Sequence, residues 1–215
     1  MLVEDIMCRK IVSLTERDTI QTAIEIMRKH KIRHVPIVDD TNHLIGLVSN
    51  QDIRDATPSI FHSNDQVDIF QKPLSTIMQK DVLTGHPLDF FEDLVSVFYD
   101  NKIDCLPILQ DGILKGIITE TDLLYTFVEL TGANQPGSHI QIKVPNKTGI
   151  LYEISTIFKE KRVNVHSILV YPNKNNEQEK ILVIRIQTMN PLAVVSELRK
   201  HGYEVLWPKG LEFPS

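Results

Sequence analysis

The chain lacks most of the features that give a function away. Two cysteines in 215 residues, Cys8 and Cys105, cannot build a disulfide framework and point to a reducing cytoplasm. No apolar run approaches the roughly 18 residues that span a bilayer, which excludes a membrane-crossing helix. The acidic start Met1-Leu2-Val3-Glu4-Asp5 does not follow the charged-then-apolar pattern of a signal peptide. Lys and Arg never stand more than two together, and 23 of them against 28 acidic residues leave a net charge of −5. A polyanion partner needs a basic face, so nucleic acid is disfavoured. Absent too are the phosphate loop G-x-x-x-x-G-K-(S/T), the G-x-G-x-x-G turn, the G-x-S-x-G elbow, H-E-x-x-H and C-x-x-C. His30 and His34 have a ligand-like spacing but pass from a helix end into a strand, so no metal site is expected. His62, His86, His166 and His201 are scattered, and no carboxylate pair has a spacing that argues for acid–base work. No catalytic residue is nominated, and a non-enzyme is expected.

What is present is a duplication. Displaced by 71 residues, Ile6-Met7 falls on Ile77-Met78, Asp18 on Asp89, Lys31-Ile32 on Lys102-Ile103, and Pro36-Ile37 on Pro107-Ile108. One residue is lost in a turn, after which Gly46 meets Gly116 and Asp52 meets Asp122. Each copy predicts a short strand (Ile11 to Leu14; Val82 to Thr84), then a helix with apolar residues at helical spacing. These are Ile20, Ala23, Ile24 and Met27 in one copy and Phe91, Leu94, Val95 and Phe98 in the other. A proline-bearing strand follows, then a third strand and a helix opening at Asn50 or Glu120. The predicted unit is βαββα, too small to bury a core alone, so two copies are expected to pack together.

At the start of each last helix stands Ser49-Asn50-Gln51-Asp52 or Thr119-Glu120-Thr121-Asp122. Unpaired N–H groups and the helix dipole favour an anion there, a hydroxyl can donate to phosphate, and an ionised Asp suits the diol of a ribose. The same pattern also serves as a capping box that satisfies only its own helix. Arg33-His34 precedes the first Val-Pro step, whereas Asp104-Cys105 precedes the second Leu-Pro step. A guanidinium can fork onto phosphate and a carboxylate repels it, so the two sites are expected to be asymmetric.

These residues resemble the CBS-domain pair, or Bateman module: Arg33-His34-Val35-Pro36-Ile37-Val38 with Gly46-Leu47-Val48-Ser49-Asn50-Gln51-Asp52, and the second copy from Cys105 to Asp122. The resemblance implies an adenine-nucleotide site at Ser13, Arg33, His34, Ser49, Asp52, Thr84, Thr119 and Asp122, with Ser13 and Thr84 reaching the base or ribose. AMP, ADP, ATP, NAD or S-adenosylmethionine would be the regulatory ligand, and no cofactor is required.

Beyond the Gly- and Pro-bearing stretch Thr131 to Ser138, alternation and helical spacing predict βαββαβ, a ferredoxin-like order. Val163, Val165, Ser167 and Leu169 are expected to share one face of its second strand. Asn146-Lys147-Thr148-Gly149-Ile150-Leu151 resembles the turn of an ACT domain, implying pairing between copies and an amino-acid effector near Asn146, Gly149 and Ile150. Gly149 equally serves a turn and Ile150 a core.

The predicted α/β (α+β) organisation is CBS repeat 1 over 1–57, a linker 58–73, CBS repeat 2 over 74–130, a linker 131–138 and an ACT-like domain over 139–210. The whole resembles the acetoin utilisation AcuB family, also through Ser59-Ile60-Phe61, His86-Pro87-Leu88-Asp89-Phe90 and Gln187-Thr188-Met189-Asn190-Pro191-Leu192. That implies a regulator of acetoin or butanediol catabolism, acting as a homodimer on an unidentified protein, without membrane or nucleic acid. Against the ligand sensor stand a scaffold with vestigial pockets and an enzyme whose site is unrecognised.

Overall fold

The computed structural model describes residues 1–56 and 69–209. Ser59-Ile60-Phe61 and His62 lie outside the described residues. The chain divides into two units, Met1–Leu124 and Tyr125 onward. That division falls inside a helix.

In the first unit a short helix α1 (Val3–Ile6) precedes α2 (Ile20–His30), β1 (His34–Val38), β2 (Leu44–Ser49) and α3 (Asn50–Ala56). A single 3-10 turn, Leu74–Thr76, opens the second copy, followed by α4 (Phe91–Asn101), β3 (Cys105–Gln110), β4 (Ile113–Thr119) and α5 (Glu120–Thr131). Helix α2 starts where the Thr19 side chain accepts from the Thr22 N–H, and it stops at Lys31 in the left-handed region, φ 55°. Arg28, Lys29 and His30 fill its last turn, where the dipole favours positive charge. Helix α4 stops the same way at Lys102, φ 53°.

β1 pairs antiparallel with β2, and β3 with β4. The strands expected at Ile11–Leu14 and Val82–Thr84 reduce to single parallel bridges, Leu14 to Ile37 and Gly85 to Ile108. Proline is the reason. Val38 donates to the Leu14 carbonyl and Leu14 to that of Pro36, but Pro36 has no N–H to carry the ladder toward Val12. In the second copy Leu109 donates to Gly85 and Gly85 to Pro107, and the ladder ends there identically.

The segments that lead into the two copies are exchanged. Cys8 pairs with Ile117 of β4, while Gln79 pairs with Leu47 of β2. Val3 and Met7 therefore pack with Phe91, Leu94, Phe98, Leu106 and Ile108 of the second copy. Leu74 packs with Ile20, Met27, Val35 and Ile37 of the first, with Ile77 and Met78 against that cluster. Neither core is built from one contiguous repeat. The crossing runs so close that a Cβ at Gly46 would meet the Gln79 carbonyl oxygen at 2.9 Å, and one at Gly116 would meet the Met7 side chain.

The second unit carries β5 (Ser138–Pro145), α6 (Ile150–Glu160), β6 (Val165–Pro172), β7 (Glu179–Ile186), α7 (Leu192–Lys200) and β8 (Glu204–Trp207). Its sheet runs β6-β7-β5-β8, all antiparallel, the strand order of a ferredoxin-like fold. Ile140, Ile142 and Val144 of β5 and Leu182, Ile184 and Ile186 of β7 pack with Ile154, Ile157, Phe158, Val195 and Leu198 of the helices. Along β6 the expected face is corrected. A register shift at His166 puts Val165 opposite Ile186 but Ile168 and Val170 opposite Ile184 and Leu182, so Leu169 moves to the other side. Nor does the stretch after α5 run free. The Arg185 guanidinium donates to the Gln135 carbonyl at 2.6 Å, and the Ser167 hydroxyl to that of Thr131 at 2.7 Å.

Candidate functional site

Exchange of the lead-in segments leaves two cavities between the repeats, each bounded by residues of both. The larger, about 450 Å³, lies at the start of α3 and is lined by Ser49, Asp52, Arg33, His34, Gln79 and Asp104 among others. The other, about 310 Å³, lies at the start of α5 and is lined by Thr119, Asp122, Lys10, Lys31, Arg33 and His34 among others. Arg33 and His34 thus border both, which the repeat pattern did not reveal. Ser13 and Thr84 are not among the residues lining either cavity.

Both carboxylates face their own helix starts. Asp52 Oδ2 accepts from the Ser49 N–H at 2.7 Å and the Ser49 hydroxyl at 2.6 Å, while the Asp52 N–H donates to Ser49 Oγ at 3.2 Å. Asp122 Oδ2 accepts from the Thr119 N–H at 2.8 Å and its hydroxyl at 2.7 Å. These are capping interactions. The hydroxyl protons expected to meet phosphate are committed to the carboxylates instead. The same device holds turns elsewhere: Asp18 takes the Thr15 N–H and hydroxyl, and Asp89 takes the His86 N–H. What sets Asp52 and Asp122 apart is that each lines a cavity between the repeats, whereas Asp18 and Asp89 line neither of the two.

His34 opens β1, is buried, and its Nε2 lies 2.9 Å from Asp104 Oδ1 of the other repeat. Burial pushes its pKa below the usual 6.5, against the opposing pull of Asp104. The ring is therefore neutral at pH 7 and donates a hydrogen bond without cancelling the charge of Asp104. Cys105, its counterpart, is buried beside Asp104 and Asp122, and its thiol is pushed up to about 12, which makes it unreactive. Arg33 is exposed, and its guanidinium pairs with no carboxylate among the described residues.

Sequence reasoning missed Gln79. Its side-chain amide donates to Asp52 Oδ1 at 2.9 Å, so the protein itself occupies the second carboxylate oxygen. The repeat register carried the signal, since Gln79 aligns with Cys8 at the same 71-residue displacement. Lys10 and Lys31, which line the cavity at α5, went unnoticed because they stand far in sequence from the helix starts.

Asn146, Gly149 and Ile150 are not among the residues lining the cavity at their end of the ACT-like domain. Ile150 is buried in the domain core, Asn146 is exposed at the turn, and Gly149 sits at φ 86° with nothing within 4 Å of a Cβ built on it. A depression of about 400 Å³ lies at that end, lined by Lys147, Glu153 and Tyr203 among others. Tyr203 donates to Glu153 at 2.8 Å, and burial with that carboxylate pushes its phenol up to about 12. Among the described residues no group of three or more His, Cys, Asp or Glu could hold a metal, and no helix is long and apolar enough to cross a membrane.

The family model described as the CBS domain matches residues 3–59 and 74–129, and that of the ACT domain matches residues 138–202. An uncharacterized protein of Methanocaldococcus jannaschii is 29% identical over 158 residues, 74% of this chain and 50% of its own. The chain spans half or less of the length of the first curated relatives it matches. A solved Vibrio cholerae structure, of a protein assigned to acetoin utilization (AcuB), is 32% identical with a TM-score of 0.54, covering 63% of this chain and 98% of that one. The CBS domain pair of protein MJ0100, in complex with 5′-methylthioadenosine and S-adenosyl-L-methionine, is 26% identical with a TM-score of 0.52 and the same coverage.

Proposed function

The chain belongs to the CBS domain family, with an ACT domain following its two CBS repeats, and from that premise we propose a regulatory sensor that binds an adenine nucleotide or related adenosyl compound in the cleft between the repeats. The observation that carries this reading is a pair of open cavities, each beside a Ser/Thr-x-x-Asp helix start. The MJ0100 pair, which holds adenosyl compounds, supports it. Asp52 and Asp122 would accept from the ribose hydroxyls, Ser49 and Thr119 would fix those carboxylates, and Arg33 would meet phosphate with His34 behind it. Occupancy would favour one arrangement of the repeats, by no more than the difference in affinity between arrangements. The likeness to the Vibrio cholerae protein supports the finer reading, control of acetoin or butanediol catabolism. The depression near Lys147 and Tyr203 is where an amino acid would act. Pairing of two chains finds support in edge strand β6, whose Val165, Ile168, Leu169 and Val170 are each about 40% exposed.

Thermal unfolding with AMP, ADP, ATP, NAD, S-adenosylmethionine and 5′-methylthioadenosine tests the sensor. A ligand at a hundredfold its dissociation constant adds about 2.7 kcal/mol, a rise of roughly 5–10 °C for a chain of this size. The capping geometry of both carboxylates favours a second reading, a scaffold that needs no ligand. No rise with any compound would establish that reading over the sensor.

A further inference from the structure

The two cavities are aligned by the repeat but are not chemically equivalent, and the differences all point one way. At the start of α3, Gln79 already donates to Asp52 Oδ1, the position a ribose hydroxyl would take. In the other cavity Cys8 stands at the equivalent place, where its thiol lies 3.8 Å from the Lys10 carbonyl oxygen. Both residues are held by the same backbone pairing, Gln79 with Leu47 and Cys8 with Ile117, so the difference is one of side chain and not of frame.

Charge separates the cavities further. The one at α5 is bordered by Lys10, Lys31 and Arg33 against a single carboxylate, Asp122. The one at α3 sets Arg33, Arg54 and Lys102 against two, Asp52 and Asp104. Asp104 occupies the position that Arg33 holds in the first repeat, and its neighbour His34 is neutral at pH 7, so its charge stands undiminished. Arg33 borders both cavities, and one guanidinium can fork onto only one phosphate at a time.

We infer that the cleft is one-sided: a phosphate-bearing adenosyl ligand enters the cavity of Thr119 and Asp122, while Gln79 and Asp104 close the cavity of Ser49 and Asp52 to it. The inference rests on the sensor reading and adds which cavity works and for which ligand charge.

Isothermal titration of the full chain with AMP tests it, with uncharged 5′-methylthioadenosine as the second probe. One AMP per chain is expected, and Asp122→Ala should weaken it at least tenfold. The double variant Gln79→Cys with Asp104→Arg gives the second repeat the residues of the first, and it should bind two. Should that variant fail to fold by circular dichroism, Gln79→Ala with Asp104→Asn serves instead. Two AMP per chain in the unaltered protein, AMP binding that survives Asp122→Ala, or binding of 5′-methylthioadenosine alone would overturn one-sidedness and leave the sensor standing. No heat with either probe, and no thermal rise with any adenosyl compound, would remove both.

Discussion

Truncating Leu74 should loosen the first repeat, and truncating Val3 should loosen the second, although each residue belongs by sequence to the opposite copy. Leu74 is fully buried against Ile20, Met27, Val35 and Ile37. Leu74→Ala removes that packing and leaves a void, at a cost of about 2–5 kcal/mol. Val3 is equally buried against Phe91, Leu106 and Ile108. Val3→Ala deletes two methyl groups, about 1.6 kcal/mol by transfer plus a cavity contribution. Either loss is a large fraction of the roughly 5–15 kcal/mol by which domains are stable, so local opening should become visible. Amide hydrogen exchange read by mass spectrometry gives the location. Leu74→Ala should release protection in α2, β1 and β2 first; Val3→Ala should release it in α4, β3 and β4. If the pattern were reversed, or if both variants opened the same strands first, the exchanged lead-in segments would be refuted.

Three further outcomes are expected. Cys8 is exposed whereas Cys105 is buried with its thiol pushed up to about 12, so a thiol reagent at pH 8 should modify one cysteine in the native chain and two in denaturant; rapid native labelling of both would contradict the burial. His34 takes up a proton less readily when folded than at its ordinary 6.5, so its contribution is unchanged above that pH and turns against the fold as pH drops through it. Urea midpoints from pH 8 to 5.5 should therefore fall more steeply for the unaltered chain than for His34→Gln; parallel curves would show that His34 is not the group responsible. Arg185→Ala should free residues 132–136, seen as limited proteolysis there with little loss of overall stability, since its guanidinium holds the Gln135 carbonyl.

Much of the architecture was legible because it is written twice or periodically. The duplication emerged from a constant displacement, and the helices from residues such as Ile20, Ala23 and Met27 at helical spacing. Other features depend on matters a residue string does not order. Ile6-Met7 and Ile77-Met78 are the same pair of apolar residues, so either lead-in suits either core, and sequence cannot say that they are exchanged. The face of β6 turned on one bulged residue, His166, which shifts every later residue by one. The shortened first strands followed from Pro36 and Pro107, whose missing N–H matters only once the side of the strand they face is known. The Ser/Thr-x-x-Asp pair was correctly placed at helix starts, yet cap and ligand contact use the same atoms. No pattern separates them.

That overlap need not set one role against the other. A carboxylate offers about four acceptor positions. Asp52 spends two on Oδ2, for the Ser49 N–H and hydroxyl, and one on Oδ1, for Gln79. Holding the helix start therefore consumes one oxygen and leaves the other as the part that a ligand and Gln79 must contest. A sugar diol has two hydroxyls to place, so at this cavity it must displace the Gln79 amide, giving up a charge-assisted bond of about 1.5–3 kcal/mol before gaining its own. Removing that amide alone should raise adenosyl affinity at Asp52 by roughly tenfold or more, since about 1.4 kcal/mol is a factor of ten. The capping bonds would stay in place. If Gln79→Ala instead left affinity there unchanged, the carboxylate would be a helix cap and nothing besides, and the contest over its second oxygen would not exist.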